Sequence, residues 1–564
     1  MTRKSKHDYY RHYHLSDPSG PAKGVILGRL FSKCQNSEEN ASKEEAPLIS
    51  LSRLLETEGK SLTDNYWGNY IAFISRGSNN YVQLDPMGTF PCFMTRSSNV
   101  TTISSTIPDL LTATERPYSI NCLVIGRYLR YGLERSQTGL SEIGKVLPGQ
   151  FLKFSPFGVT ISYPWTPLDY CNRGEDIDPS RASVTLRQLL CSTTQALAAP
   201  HKKILLKIGG LDSSLLLSCL SHTRSADDLS AITIYQDCPM GDERRFVREA
   251  TGKVSIPLLE YPETASRLDE DQLSAAPLTA LPLYYAQHGQ FEKRLTEIIE
   301  EENFDAIFTG HAGDEILYAA ATSYGAMDYL YNRLFPIKLF SFMMEAARMQ
   351  NRSVWSLFPE ILRSRFNKQP WSFYAQHGHG KSRLLDPDLQ DQIRPGKDTH
   401  PWLTREASIP PGKYYHLFPL TKGLYALEFM GHAEDPPPVI MPYLSQPFVE
   451  YCLSLPSWRL TSDGMDRGLA RLAFKNFVPD NILKRRSKFS SAYYLRTLVE
   501  LNFDFIRDTL MDGLLVQNRI IHRQSLEQLL SKEQDTDTRD QAWLINFLNT
   551  EIWARKWENM GRFR

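Results

Sequence analysis

The chain has 564 residues, too many for one compact core, so two or more domains are expected. Lys and Arg together number 64 and Asp and Glu number 64, so no global field recruits nucleic acid or an anionic membrane. An apolar fraction of 41% with 11% aromatics suits a globular enzyme rather than a disordered chain.

The segment MTRKSKHDYYRHYH is basic but lacks the apolar core of a signal peptide, and no stretch approaches the ~20 apolar residues of a membrane span. The eight cysteines, none spaced as CxxC, suggest neither zinc nor a thioredoxin motif. A cytoplasmic location is expected.

In chain order, Gln35 to Ala46 reads as a loop. Trp67 to Ile74, Tyr81 to Asp85 and Cys92 to Arg96 are short aromatic and β-branched runs between Gly, Asn and Pro, the pattern of strands. Lys145 to Tyr163 reads as a hairpin with turns at Pro148-Gly149 and Pro156 to Gly158. The texture changes between Pro164 and Pro179, which places a domain boundary near residue 170: a β domain over 1–170 and an α/β domain over 171–564. Ser180 to Ala199 has helical apolar spacing. Ile204 to Leu206, Leu229 to Tyr235 and Ala306 to Gly310 read as buried strands, with an amphipathic helix around Phe291 to Ile299. Strands alternating with helices imply a parallel sheet covered on both faces. Beyond Tyr318 the pattern is helical, broken by a polar, Pro-rich stretch from about Asp386 to Pro411.

The strongest chemical motif is KILLKIGGLDSSLLL, Lys203 to Leu217. A buried strand ends, Gly209 and Gly210 turn the chain, and a helix begins at Ser213 or Ser214. Glycines let backbone amides approach an anion, and a helix N-terminus favours phosphate. No GK[ST] follows, so this is not a Walker loop. Leu211, Ser213 and Ser214 complete the loop, and Asp212 can hold Mg2+. A second strand ends in FTGHAGDEIL, Phe308 to Leu317. In an open parallel sheet such strand ends share one crevice, so Gly310 and Asp314 are expected to face the loop, with Asp212 and Asp314 sharing a metal.

GGLDSS followed by TGHAGDE resembles the asparagine synthetase superfamily. LDPMGTFPCF (Leu84 to Phe93) and KVLPGQ are similar to segments of that family's glutamine-hydrolysing domain; MPYLSQPFVEYCLSLP, DRGLARLAF and ILKRRSKFS are similar to its synthetase domain. The resemblance implies a degenerate, glutaminase-like β-sandwich of the N-terminal-nucleophile type, then an adenylating domain with a parallel sheet and added helices, using ATP and Mg2+. By the same resemblance Lys488 is the catalytic cation, with Lys484, Arg485 and Arg486 as neighbours in uncertain register, and Leu206 and Ile234 flank the adenine or simply pack the strands. Asp242-Glu243 matches a helix start, where Glu243 is a structural charge.

Three departures narrow the resemblance. Thr2 stands where the family exposes a cysteine nucleophile, Ile208 replaces the first serine of SGGLDSS, and PVIMPYLS lacks the charged pair of the asparagine-forming enzymes. His311, together with MPYLSQPFVEYCLSLP and RRSKFSS, resembles the lasso peptide cyclases. That implies a precursor peptide whose Asp or Glu side chain is adenylated and then attacked by the peptide's own N-terminal amine. A leader peptidase and a leader-binding protein are the implied partners. His311 is read either as a general acid-base residue or as a satisfied turn residue. The alternatives are a β-lactam synthetase-like or asparagine synthetase-like ligase, and a non-catalytic peptide-binding scaffold.

Overall fold

Fourteen strands and a series of helices appear in a computed structural model that describes residues 11–16, 22–33, 49–97, 100–114, 118–131, 137–171, 177–238, 241–319, 322–332, 338–364, 384–393, 400–403, 409–421, 437–486, 491–531 and 538–559. The expected loop from Gln35 to Ala46, position Thr2 and Lys488 lie outside these residues.

The N-terminal strands are β1 (Arg11–Ser16), β2 (Lys23–Ser32), β3 (Tyr66–Arg76), β4 (Asn79–Leu84), β5 (Phe93–Ser97), β6 (Val100–Ser104), β7 (Gly144–Lys145), β8 (Phe151–Ser155) and β9 (Gly158–Ser162). They form a six-stranded sheet in the order β1-β2-β3-β4-β8-β9 and a three-stranded sheet, β6-β5-β7. Ile71, Val82, Leu84 and Leu152 of the first sheet pack against Cys92, Met94, Ile103 and Val146 at the second, so the two sheets share an apolar layer, as a sandwich requires.

Two details differ from the sequence reading. First, only Pro156-Phe157 makes a hairpin turn, between β8 and β9; Pro148-Gly149 lies where the chain leaves β7 in one sheet for β8 in the other. Gly149 (φ 69°) and Gly88 (φ 60°) need left-handed backbone there, and Pro148 packs on Gly88. LDPMGTFPCF is thus a structural corner: Asp85 accepts from the Met87 and Thr89 amides and from the Thr89 hydroxyl. Second, the polar run RHYHLS is itself a strand, β1. It lies on the sheet edge and buries only Leu15, so it needs no apolar alternation.

The second region carries β10 (Ile204–Lys207), β11 (Leu229–Tyr235), β12 (Leu258–Pro262), β13 (Ala306–Thr309) and β14 (Val439–Ile440), all parallel, in the order β12-β11-β10-β13-β14. Winding runs from β10 outward on one side, then restarts at β13 on the other. The carboxyl ends of β10 and β13 therefore flank the reversal of strand order, where open α/β sheets place their crevice. Helices Pro179–Ala198 and Leu211–Ser221 cover one face; Tyr285–Glu302 covers the other through Phe291, Leu295, Ile298 and Ile299. The rest of the chain is mainly helical. Among the described residues no helix is long and apolar enough to cross a membrane.

The two regions are not separately packed. Phe31, Trp67, Met87 and Trp165 belong to the same apolar cluster as the helices beside β10. Glu450 joins both regions, pairing with Lys33 at 2.9 Å and accepting from Trp165 Nε1 at 2.8 Å.

Candidate active site

β10 delivers its last residue, Lys207, to the rim of a cleft of about 270 Å3, and Ile208 turns back into the core. Ile208 donates its N–H to Ile232 O at 2.9 Å, and at this departure from the serine pattern the side chain is buried in the large apolar core. The helix begins at Leu211 rather than at Ser213 or Ser214, because Gly210 is its N-cap. Ser213 Oγ reaches back to accept from the Gly209 and Gly210 amides at 3.1 and 3.3 Å, and Ser214 Oγ donates to Gly210 O at 2.8 Å. The serines thus hold the loop shape. The first-turn amides of the helix, which no intrahelical carbonyl can satisfy, are the groups left for an anion.

The turn after β13 meets this loop with almost no clearance. A methyl group on Gly310 would lie 2.8 Å from Ser213 N, and one on Gly313 would lie 2.6 Å from Asp212 Cβ. Ala312 adopts φ 67° to make the turn. Small residues in TGHAGDE are therefore the steric condition for bringing Asp314 to Asp212.

The two carboxylates meet on one guanidinium. Arg467 Nη1 is 2.9 Å from Asp212 Oδ2 and 2.7 Å from Asp314 Oδ1, and Nη2 is 3.1 Å from Asp466 Oδ2. Burial lifts the Asp212 carboxyl from 3.8 to about 7; the guanidinium of Arg467 opposes the rise and Asp314 adds to it. Tyr443, from the MPYLS segment, donates to Asp212 O at 2.7 Å and fixes the backbone behind the carboxylate. Arg471 donates to Leu483 O and Asp466 O, which ties the segment before Lys484 to the helix Gly468–Ala473. Glu243 does more than begin a helix: it pairs with Arg485 at 2.6 Å, and Arg485 stacks on Phe246 at 4.3 Å.

The other expected site residues are placed as follows. Gly210, Leu211, Asp212, Ser213, Gly310 and Asp314 line the cleft. Gly209 and Ser214 shape the loop just behind it. Leu206 is fully buried in the large core and Ile234 packs in a separate cluster across the sheet; neither lines the cleft. His311 is exposed, its N–H donating to Thr309 Oγ1 at 3.2 Å. Lys484 is a surface residue paired with Asp480, whereas Arg485 lines the cleft. Arg467, which lines the cleft and bridges its two aspartates, is the residue that sequence reasoning passed over; DRGLARLAF was read only as a helix. Its one local sign is a cation directly after an acidic residue at a helix start, where a cation is otherwise unfavourable.

Among the described residues no group of three or more His, Cys, Asp or Glu forms a metal cage. Asp212 and Asp314 suit an ion that takes one or two carboxylates and completes its shell with phosphate oxygens, the habit of Mg2+. Asp212 Oδ1, buried without a hydrogen-bond partner, fits such a role.

A glycine turn and paired carboxylates thus meet in one cleft at the strand-order reversal of a parallel sheet. Residues 438–555, which include Tyr443, Arg467 and Arg485, match the family described as asparagine synthase, whose members are ATP-dependent amide ligases. No curated protein matches the chain in sequence. Among solved structures, one described as the allosteric regulatory enzyme of purine biosynthesis aligns over 52% of this chain and 70% of its own, at 11% identity and TM-score 0.17. Another, the glutamine phosphoribosylpyrophosphate amidotransferase from B. subtilis complexed with ADP and GMP, aligns over 52% and 62%, also at 11% identity and TM-score 0.17.

Proposed function

We propose that this chain is an ATP-dependent amide ligase that closes a macrolactam in a precursor peptide. The observation that carries the ligase reading is the convergence of Asp212 and Asp314, from GGLDSS and TGHAGDE, on one cleft at the strand-order reversal. The asparagine synthase match over 438–555 supports the same class. TGHAGDE with His311 and the MPYLSQPFVEYCLSLP segment favour a peptide substrate of the lasso type.

A carboxylate is a poor electrophile, so an Asp or Glu side chain of the peptide first attacks the α-phosphorus of ATP, and pyrophosphate leaves. The N-terminal amine of the same peptide then attacks the acyl carbon, and AMP leaves with the bonding electrons. The helix amides at Leu211 to Ser213 hold phosphate oxygens. Asp212 and Asp314 would hold Mg2+, which supplies neutralisation of the triphosphate. Lys488 is the cation for charge that develops in the transition state, and His311 is the candidate for moving the amine proton. The seven unpaired cysteines among the described residues suit a reducing cytoplasm.

The test is incubation with ATP, Mg2+ and peptides bearing a free N-terminal amine and an internal Asp or Glu. The expected result is one pyrophosphate released for each peptide that loses one water by mass spectrometry. Amide formation with free amino acids but not peptides would move the reading to the β-lactam or asparagine synthetase type. No ATP turnover with any peptide would leave a binding scaffold.

A further inference from the structure

Every cation that lines the cleft already has a partner. Lys207 pairs with Glu292, Arg485 with Glu243, and Arg471 is pinned by the carbonyls of Leu483 and Asp466. Arg467 differs in what it holds: its partners are the two carboxylates that a metal would need. A cation bridging Asp212 Oδ2 and Asp314 Oδ1 at ~2.0–2.1 Å would take the place that Arg467 Nη1 holds between those two oxygens.

Resting on the ligase reading above, we propose that Arg467 is a positioning residue that exchanges partners. In the nucleotide-free chain it occupies the metal position between Asp212 and Asp314, and when metal and nucleotide enter together it turns to the phosphates. Two carboxylates that converge on one nitrogen repel each other, and the guanidinium offsets that repulsion. Arg467 and Asp212 are at least nine-tenths buried, at 8% and 9% exposure, so water screens their pair poorly, whereas the Asp314 side chain is 38% exposed. The arrangement is also incomplete. Arg467 Nε and Asp212 Oδ1 are buried with no hydrogen-bond partner, one donor and one acceptor left for another occupant. Arg467 holds a left-handed backbone, φ 51°, a conformation that persists in a non-glycine residue when its surroundings impose it.

The exchange makes metal and nucleotide binding interdependent. Metal alone must displace the guanidinium from both carboxylates and leave it only Asp466 as an ion-pair partner among the described residues. With nucleotide present, the phosphates receive it. The displaced cation then lies on the polyanion rather than opposing it.

The test uses the full chain, with free Mn2+ measured by electron paramagnetic resonance at pH 8, without nucleotide. The wild type is expected to bind Mn2+ at least tenfold more weakly than Arg467→Met, which keeps a long apolar stem and removes the charge. Asp314→Asn in the Arg467→Met background should abolish the gained site. Arg467→Lys, whose single ammonium replaces the fork, should fall between the two and serves if the Met variant does not fold by circular dichroism. Binding of mant-ATP with Mg2+ should weaken at least tenfold in Arg467→Met. If folded Arg467→Met and Arg467→Lys bind Mn2+ no better than wild type, the exchange is overturned. Failure of the wild type to bind mant-ATP with Mg2+ would instead strike at the ligase reading, leaving the metal-only comparison to judge Arg467.

Discussion

Gly313→Ala tests whether the contact between the two strand-end turns sets the site. The new methyl would lie 2.6 Å from Asp212 Cβ, 2.9 Å from Asp212 Cγ and 2.9 Å from Tyr443 Cε2. Carbon atoms settle at about 3.5–4 Å, so Asp212 must retreat by roughly 1 Å or the turn must open. Gly313 starts the helix Gly313–Ile316 at a backbone conformation that alanine accepts, which returns about 1 kcal/mol of helix propensity. Overpacking costs about 1–3 kcal/mol, so the net loss of stability is about 0–2 kcal/mol and the protein stays folded. The damage falls on geometry. A carboxylate displaced by this much loses metal affinity by roughly tenfold to a hundredfold. Magnesium-dependent binding of mant-ATP, followed by fluorescence, should weaken accordingly while the circular dichroism spectrum is kept. Gly252→Ala is the matched control, since its methyl meets nothing within 4 Å in the helix Arg244–Val254 and adds about 0.5–1 kcal/mol of stability. Wild-type affinity in Gly313→Ala would refute the idea that this contact fixes Asp212.

Asp212→Asn and Asp314→Asn should each abolish pyrophosphate release with their circular dichroism unchanged; near-normal release from both would remove the metal assignment. Glu551 is fully buried and accepts from the Leu514 and Leu515 amides and from Arg555 Nε, so Glu551→Gln should cost about 3 kcal/mol, read as a lower denaturant midpoint by tryptophan fluorescence. Burial lifts Asp328 from 3.8 to about 6 against the hydrogen bond from Ser457 and the amide of Gly412. A folded carboxyl that holds its proton more tightly than the unfolded one contributes stability that is complete below pH 4 and lost as pH rises towards 6. Asp328→Asn should flatten that part of the urea-midpoint profile, and an unchanged slope between pH 4 and 6 would discard the assignment. Lys488→Ala should lower kcat by about a hundredfold with little change in KM for ATP, while Lys484→Ala, which only breaks an exposed pair with Asp480, should do much less; equal effects would mark the basic run as surface.

Legibility of the sequence followed how local each feature is. The strand ends at Lys207 and Thr309 were readable because a buried run, a glycine turn and an acidic residue follow one another within ten positions. β14 was not, because two residues, Val439 and Ile440, carry no period and are a strand only beside β13. The helix starts two or three residues before the expected Ser213 or Ser214 because Gly210 caps it, and the Ser213 hydroxyl closes the loop in front of it. Arg467 was beyond reach for the same reason in stronger form: its partners lie 255 and 153 positions away, and no short-range pattern encodes that meeting. Leu206 and Ile234 show the opposite limit. Neighbouring strands were identified, but which face each side chain takes depends on packing that sequence pattern leaves open.

The cluster that joins Phe31, Trp67, Met87 and Trp165 to the helices beside β10 has a practical consequence for dissection. A fragment beginning near residue 171 would carry every residue that lines the cleft and yet expose the apolar seat of four large side chains. Expressed alone it should aggregate; expressed together with residues 1–170 as a separate polypeptide, it should be recovered as a two-piece complex. On that outcome the N-terminal region is a folding partner supplied within the same chain.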